Sequence, residues 1–158
     1  MRKLVQITKD NHEKFKFNVN EDPVRGELDL DFRLDAKRKI FILANGSYES
    51  AICVAFTNTV PTTVNELDLL SRQACLNGSF GHIAIFYTVW SKVPRAGREL
   101  VFAVSDHIKE QFPHVERYVT LSPKTKMAYR FHISNGASLI QKNTETDNYE
   151  YFINNTEA

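Results

Sequence analysis

The segment that most constrains the fold is a nearly continuous apolar run, His82–Val89 (HIAIFYTV). A strand with apolar side chains on both faces has no solvent side, so it must lie inside a sheet that is covered above and below. Apolar residues then recur at helical spacing over residues 98–112, and Pro113 ends that helix. A buried strand followed closely by an amphipathic helix predicts a sheet with helices packed against it.

The remaining segments predict a mixed α/β (α+β) fold in which one sheet carries the helices. Further strands are predicted at Lys3–Thr8, Lys39–Ala44, Ser50–Thr57, Val115–Leu121, Ser138–Gln141 and Tyr149–Ile153. Further helices are predicted from the capping-box sequence Thr63–Glu66 to Asn77-Gly78, and over residues 124–134 before a left-handed turn at Asn135-Gly136. The polar segment 9–36 has no clear periodicity, so a short helix there cannot be placed.

The length and charge of the chain narrow the classes of protein to which it can belong. Its 158 residues suit one domain, which we expect to span residues 1–158. The net charge of +1 predicts neither nucleic-acid nor membrane-surface binding, so any anion site must be local. No apolar signal region and no membrane-spanning run is present, which predicts a cytoplasmic protein. Cys53 and Cys75 lie in apolar patterns typical of reduced thiols, and no Cys or His spacing predicts a metal site.

The loop Ser91–Gly97 is a candidate anion site, because it joins the apolar strand to the start of a helix. Amide groups at a helix N-terminus favour a negative ligand, and Lys92, Arg95 and Arg98 add positive charge. Gly97 would let the backbone approach a phosphate closely. On these residues alone a solvated surface turn is the simpler interpretation, since one glycine is a weak signal and a proline in the loop removes a donor.

A second candidate is the pair Ser122 and His132. Ser122 follows a predicted strand and His132 lies on the next helix, so both side chains can face the crevice at the end of an open sheet. An unperturbed imidazole has a pKa near 6.5, which suits proton exchange near neutral pH. Spacing alone favours structural roles for both residues, because no acidic residue beside His132 completes a Ser–His–Asp triad.

Three blocks of sequence, taken in order, resemble a known family. They are Ile85–Thr88 with the loop up to Gly97, EQFPHVERYVTLSP at Glu110–Pro123, and RFHISNGA at Arg130–Ala137. The order of strand, anion loop and helix resembles the GNAT superfamily of acyl-CoA N-acyltransferases. The three blocks resemble more closely the catalytic domain of malonyl-CoA decarboxylases, over about residues 82–153.

This resemblance implies a GNAT-like fold, with a central splayed mixed sheet and helices on both faces. It also implies that the chain is an enzyme whose substrate is a coenzyme A thioester, with no metal. The serine and histidine blocks of the family match Ser122 and His132, which are thereby implied as the catalytic residues. The residues implied in coenzyme binding are Lys92, Arg95, Gly97, Arg98, Tyr87 and Thr88.

The resemblance first implies decarboxylation of malonyl-CoA to acetyl-CoA, and two alternatives stay open. One is transfer of an acetyl group from acetyl-CoA to an amine, since acetyltransferases of the superfamily often carry a tyrosine where this chain has His132, four residues before Gly136. The other is a non-catalytic acyl-CoA-binding module. The chain departs from the decarboxylases in two respects. Lys124–Tyr129 replaces a long insert, and the family's N-terminal helical oligomerisation domain has no counterpart here, so the oligomeric state is left open.

Overall fold

The computed structural model describes residues 1–76, 78 and 80–153. Within them the chain forms eight strands and four α-helices. In chain order these are β1 (Lys3–Ile7), α1 (Leu30–Leu34), β2 (Lys39–Asn45), β3 (Ser47–Thr57), α2 (Val64–Leu76), β4 (Ile83–Ser91), α3 (Ala96–Gln111), β5 (Arg117–Thr120), β6 (Ser122–Pro123), α4 (Lys126–Ser134), β7 (Ser138–Lys142) and β8 (Thr146–Tyr151). Asn77, where the sequence predicts the end of α2, lies outside the described residues.

The strands form one mixed sheet with the order β1-β2-β3-β4-β5-β8-β6, and β7 also pairs with β8. The β4–β5 pair is parallel, and the other strand pairs are antiparallel. The apolar run His82–Val89 supplies most of β4, which lies in the middle of the sheet and is buried from Ile83 to Thr88. The prediction of a central strand covered on both faces is therefore confirmed.

The sheet splays between β4 and β5. The two strands pair only from Ile83 with Arg117 to Phe86 with Thr120. Beyond Phe86, β4 continues to Ser91, whereas the chain after β5 turns away to form β6, which pairs with β8 instead. Loss of pairing in mid-sheet opens a gap beside the second half of β4, as expected for a splayed sheet.

Helices cover both faces of the sheet, because successive side chains of a strand point to opposite faces. In β2, Ile40 and Ile42 belong to the core under α1 and α2, whereas Phe41 and Leu43 belong to the core under α3. The buried stripe of α3 fills the second core, and each aliphatic side chain removed from water there contributes about 1.5–3 kcal/mol. The expected α/β architecture with two helical layers is confirmed.

The segment 9–36, which could not be interpreted from sequence, contains a short 3-10 helix (Val19–Glu21) and α1. It is anchored by apolar side chains such as Phe17 and Leu28 and by buried charge, and neither follows a regular period. The Arg33 guanidinium, fully buried, donates to the Asp22 carboxylate at 2.8 Å. Asp22 also accepts a hydrogen bond from the Thr88 hydroxyl at 3.0 Å, which fixes the segment to β4.

None of the helices in the described residues is both long enough and apolar enough to cross a membrane.

Candidate functional site

A cavity of about 480 Å³ occupies the gap where β4 and β5 separate. One wall is the second half of β4, another is the chain from Leu121 to Pro123, and a third is α4. Most of its lining is apolar. The residues that line it are Glu21, Pro23, Val24, Phe86, Tyr87, Thr88, Val89, Trp90, Ser91, Lys92, Leu121, Ser122, Pro123, Thr125, Met127, Ala128, Phe131 and His132.

Helix α4 presents His132 to this cavity because both ends of the helix are fixed. At its start the Thr125 side chain accepts a hydrogen bond from the Ala128 amide, which satisfies one unpaired donor of the first turn. At its end Gly136 adopts a φ of +97°, the left-handed geometry predicted from the Asn-Gly pair. His132 lies on the buried side of the last turn and is 6% exposed.

A chain of hydrogen bonds leads from the start of α3 to the His132 ring. Arg98 donates to Asn135 Oδ1 at 2.8 Å, and Asn135 Nδ2 donates to the Tyr151 hydroxyl at 3.3 Å. The Tyr151 oxygen lies 2.7 Å from His132 Nδ1. Because arginine only donates, the Asn135 amide must turn its oxygen to Arg98 and its nitrogen to Tyr151.

This order fixes the direction of the last hydrogen bond. The Tyr151 hydroxyl accepts a hydrogen bond from Asn135. Among the described residues, the acceptor for the Tyr151 proton is His132 Nδ1. Burial raises the pKa of Tyr151 to about 12, so the hydroxyl keeps that proton. His132 Nδ1 is then an acceptor, and a neutral His132 carries its own proton on Nε2, the nitrogen left for the cavity.

Burial also keeps the His132 ring neutral. Removal of the ring from water lowers the pKa of His132 to about 4, because desolvation penalises the imidazolium. The Tyr149 ring lies with its centroid 4.9 Å from the imidazole centroid and supplies part of this apolar cover. The expectation of an ordinary imidazole pKa is wrong here. At neutral pH His132 is a hydrogen-bond donor through Nε2 and does not exchange charge.

Ser122 faces the same cavity from β6, and its side chain is buried. Its hydroxyl lies 2.7 Å from the Thr120 hydroxyl, which also accepts a hydrogen bond from the Tyr149 amide at 3.0 Å. The two sequence-predicted catalytic residues therefore line one cavity from different elements. The described hydrogen bonds of Ser122 lead to Thr120 and not to His132.

The six residues implied in coenzyme binding divide into two groups. Tyr87, Thr88 and Lys92 line the cavity. Arg95, Gly97 and Arg98 lie outside its lining, at the start of α3.

Within the loop, the structure gives each residue a local role. Arg95 is exposed in the left-handed region with φ +69°. Lys92 Nζ lies 4.4 Å from the centroid of the Tyr48 ring and 3.5 Å from the Glu21 carboxylate. A Cβ on Gly97 would lie 3.5 Å from the Phe131 ring, an ordinary contact distance, so the start of α3 packs beside α4 at this position.

Sequence reasoning missed several residues that shape the cavity. Arg25 bridges the splayed strands, since its Nε donates to the Tyr87 carbonyl at 2.8 Å and its Nη2 to the Leu121 carbonyl at 2.9 Å. Tyr151 holds the His132 ring from β8. Neither residue carried a sequence signal, because Arg25 lies in an aperiodic polar segment and Tyr151 lies in a strand that looks entirely structural.

Solved structures show a clear likeness to this fold, whereas no protein-family model and no curated protein sequence matches the chain. A malonyl-CoA decarboxylase from Agrobacterium vitis superposes with a TM-score of 0.71 at 15% identity, covering 96% of this chain and 60% of that chain. A probable acetyltransferase from Staphylococcus epidermidis gives a TM-score of 0.63 at 12% identity, covering 95% of this chain and 96% of that chain.

A third similar structure, an N-acetyltransferase from Campylobacter jejuni, was solved with acetyl coenzyme A. It gives a TM-score of 0.58 at 12% identity, covering 96% of this chain and 99% of that chain. The chain spans less than two thirds of the length of the malonyl-CoA decarboxylases that it matches. At these identities the likeness is one of fold: the chain has the GNAT fold, in a form close to the malonyl-CoA decarboxylase domain.

Proposed function

We propose that this chain is an acyl-CoA-dependent enzyme that decarboxylates malonyl-CoA, or another malonyl thioester, to the acetyl thioester. The observation that carries the proposal is the neutral, buried His132, which offers an Nε2–H donor to an apolar cavity that Ser122 also lines. An apolar site with fixed hydrogen-bond donors suits a reaction that converts a localised carboxylate charge into a delocalised enolate.

The coenzyme would enter along the gap beside β4. Tyr87 and Thr88 border this gap, and Lys92 lies at its outer end with the exposed Arg95 beyond it. The N-terminal amides of α3 and these two cations favour the phosphates of coenzyme A. In this arrangement Gly97 and Arg98 do not touch the coenzyme and instead position α4. Gly97 packs beside Phe131, and Arg98 donates a hydrogen bond to Asn135.

The reaction needs no group beyond the thioester itself to accept electrons. The bond between the carboxyl carbon and the α-carbon breaks, its electron pair moves into the thioester carbonyl, and CO₂ leaves an enolate. His132 Nε2–H then hydrogen-bonds the developing oxyanion. The Ser122 hydroxyl turns its proton from Thr120 to the substrate carboxylate and holds it out of the carbonyl plane. The enolate carbon takes up one proton from solvent. A neutral imidazole is a poor proton donor, so His132 acts by hydrogen bonding and retains its proton.

Transfer of an acetyl group to an amine is the second candidate, and the residue that favours it is Glu21. Its carboxylate lines the cavity and would accept a proton from the ammonium group of the substrate, and the free amine so formed would attack the thioester carbonyl. In the structure this carboxylate accepts a hydrogen bond from Tyr48 and pairs with Lys92. Because Tyr48 and Lys92 already occupy this carboxylate, decarboxylation remains the preferred proposal.

The test is to incubate the protein with malonyl-CoA, and separately with acetyl-CoA and a panel of amines, and to identify products by mass spectrometry. We expect acetyl-CoA and CO₂ from malonyl-CoA, and loss of this activity in His132→Gln. His82→Gln serves as the matched control, because His82 does not line the cavity. An acetylated amine without turnover of malonyl-CoA would establish the acetyltransferase instead. Tight coenzyme binding without any product would establish a binding module.

A further inference from the structure

A second cavity, of about 520 Å³, differs from the first in having a polar lining. It lies between the start of α2, the turn that joins β7 to β8, and the Arg25 side chain. The residues that line it are Arg25, Thr62, Thr63, Val64, Asn65, Asn143, Thr144, Glu145 and Thr146. Arg25 separates the two cavities, because it lines the second and bonds to the carbonyls of Tyr87 and Leu121, which line the first.

Hydrogen bonds between the two loops hold this cavity in shape. The Thr146 hydroxyl donates to the Thr62 carbonyl at 2.6 Å. Asn148 Nδ2 donates to the Pro61 carbonyl at 3.1 Å, and Asn143 Nδ2 donates to Thr146 Oγ1 at 2.9 Å. The first two of these contacts join residues more than 80 positions apart in sequence, so tertiary folding forms the polar cavity.

Arg25 is a buried cation without a carboxylate partner among the described residues. Its side chain is 8% exposed, and its Nε and Nη2 bond only to backbone carbonyls. Nη1 donates to no acceptor among the described residues, and the nearby Asp22 carboxylate pairs with Arg33. Burial lowers the pKa of Arg25 and outweighs the charges of Glu27 and Asp22, which favour the guanidinium, so a bound anion would reduce the cost of burying this charge.

The start of α2 supplies further donors to the same cavity. The Thr63 hydroxyl caps only the Glu66 amide, and the Glu66 carboxylate turns back to Thr62. Val64 and Asn65 line the cavity, and their amides have no partner among the described backbone contacts. Free amides in the first turn of this 13-residue helix favour an anion through their own hydrogen bonds and through the helix dipole.

We propose that the second cavity binds a small monoanionic carboxylate, held by Arg25 Nη1 and the Val64 and Asn65 amides. Glu145 places one negative charge at the exposed rim, so the cavity tolerates one further negative charge better than two. That favours a carboxylate over a phosphate dianion. The proposal concerns binding alone and does not rest on the function proposed above.

The experiment is an NMR titration of the protein with sodium acetate, and separately with inorganic phosphate, at constant ionic strength. We expect acetate to shift the Val64 and Asn65 amide resonances in a saturable manner, and phosphate to shift them less. Asn65→Asp adds a carboxylate at the exposed mouth and should weaken acetate binding about tenfold. Asn20→Asp, which adds the same charge at an exposed position outside this cavity, is the matched control.

Two further variants sharpen the outcome. Glu145→Gln removes the rim charge and should strengthen acetate binding, whereas Arg25→Gln should abolish it. Because Arg25 also joins two strands, the two exposed-site variants decide the question if Arg25→Gln does not fold. The proposal is overturned if acetate gives no saturable shift, or if phosphate binds there and acetate does not. It is also overturned if Asn65→Asp and Asn20→Asp weaken the response equally.

Discussion

Two buried polar networks border the first cavity, and they differ in charge. On the α4 side, Tyr151 and Asn135 hold a neutral His132. On the N-terminal side, the ion pair of Arg33 with Asp22 fixes the segment that carries Arg25. Removing one member of a neutral network leaves an unsatisfied buried polar group, which costs about 1–3 kcal/mol, whereas removing one member of a buried ion pair leaves an uncompensated charge, which costs about 3–5 kcal/mol. Removing a member of the charged network should therefore lower stability more than removing a member of the neutral network.

The largest effect is expected from breaking the charged network. Arg33→Met leaves the Asp22 carboxylate buried without its partner and should lower the free energy of unfolding by about 3–5 kcal/mol. Chemical denaturation measures this loss. Arg72→Met is the matched control, since Arg72 pairs with Asp35 and Asp68 at the surface, where solvent screens the charges, and the variant should lose much less stability. Equal losses in the two variants would contradict the comparison.

The neutral network should appear in the pH dependence of stability. Burial depresses the pKa of His132 in the folded state to about 4, below its ordinary value of 6.5. As the pH falls between these values the unfolded chain binds a proton that the folded chain does not, so stability is lost, by up to about 3 kcal/mol. Denaturation at several pH values measures this slope. In His132→Gln the slope over that range should be reduced, and an unchanged slope would refute the assignment.

A smaller effect is expected from Tyr151→Phe. Loss of the hydroxyl leaves His132 Nδ1 without a donor and should lower stability by about 1 kcal/mol. The nitrogen chemical shifts of the imidazole report the position of its proton directly. We expect the proton on Nε2 in the unmodified protein and a mixture of tautomers in the variant. If the proton already resides on Nδ1 in the unmodified protein, the proposed donor role of His132 fails.

The smallest effect on stability is expected from Gly97→Ala. The added Cβ would meet the Phe131 ring at 3.5 Å, an ordinary van der Waals distance, and alanine is favoured over glycine within a helix. The free energy of unfolding should therefore change by less than about 1 kcal/mol. Calorimetric titration with coenzyme A then separates the two explanations of this glycine. Unchanged affinity indicates helix packing alone, and weakened affinity indicates that a phosphate approaches the backbone.

Local patterns in the sequence were sufficient to predict those strands, helices and turns whose signal lies within the element itself. The apolar run of β4, the stripe of α3 and the left-handed turn at Gly136 all carry their signals within a few residues. Such signals are set by side-chain period and backbone sterics, which do not depend on distant partners. The resemblance of the RFHISNGA block likewise selected His132, which the structure places in the cavity.

Contacts between distant segments decided the chemistry of the cavity. The sequence alone determined a central buried strand, its following helix and a candidate histidine. The tertiary structure decided that this histidine is neutral, because rings from β8 remove it from water and Tyr151 fixes its proton. It also decided that Arg25 bridges β4 and the chain after β5. A pKa, a tautomer and a buried counter-charge depend on what surrounds a group, and folding supplies those surroundings from remote parts of the chain.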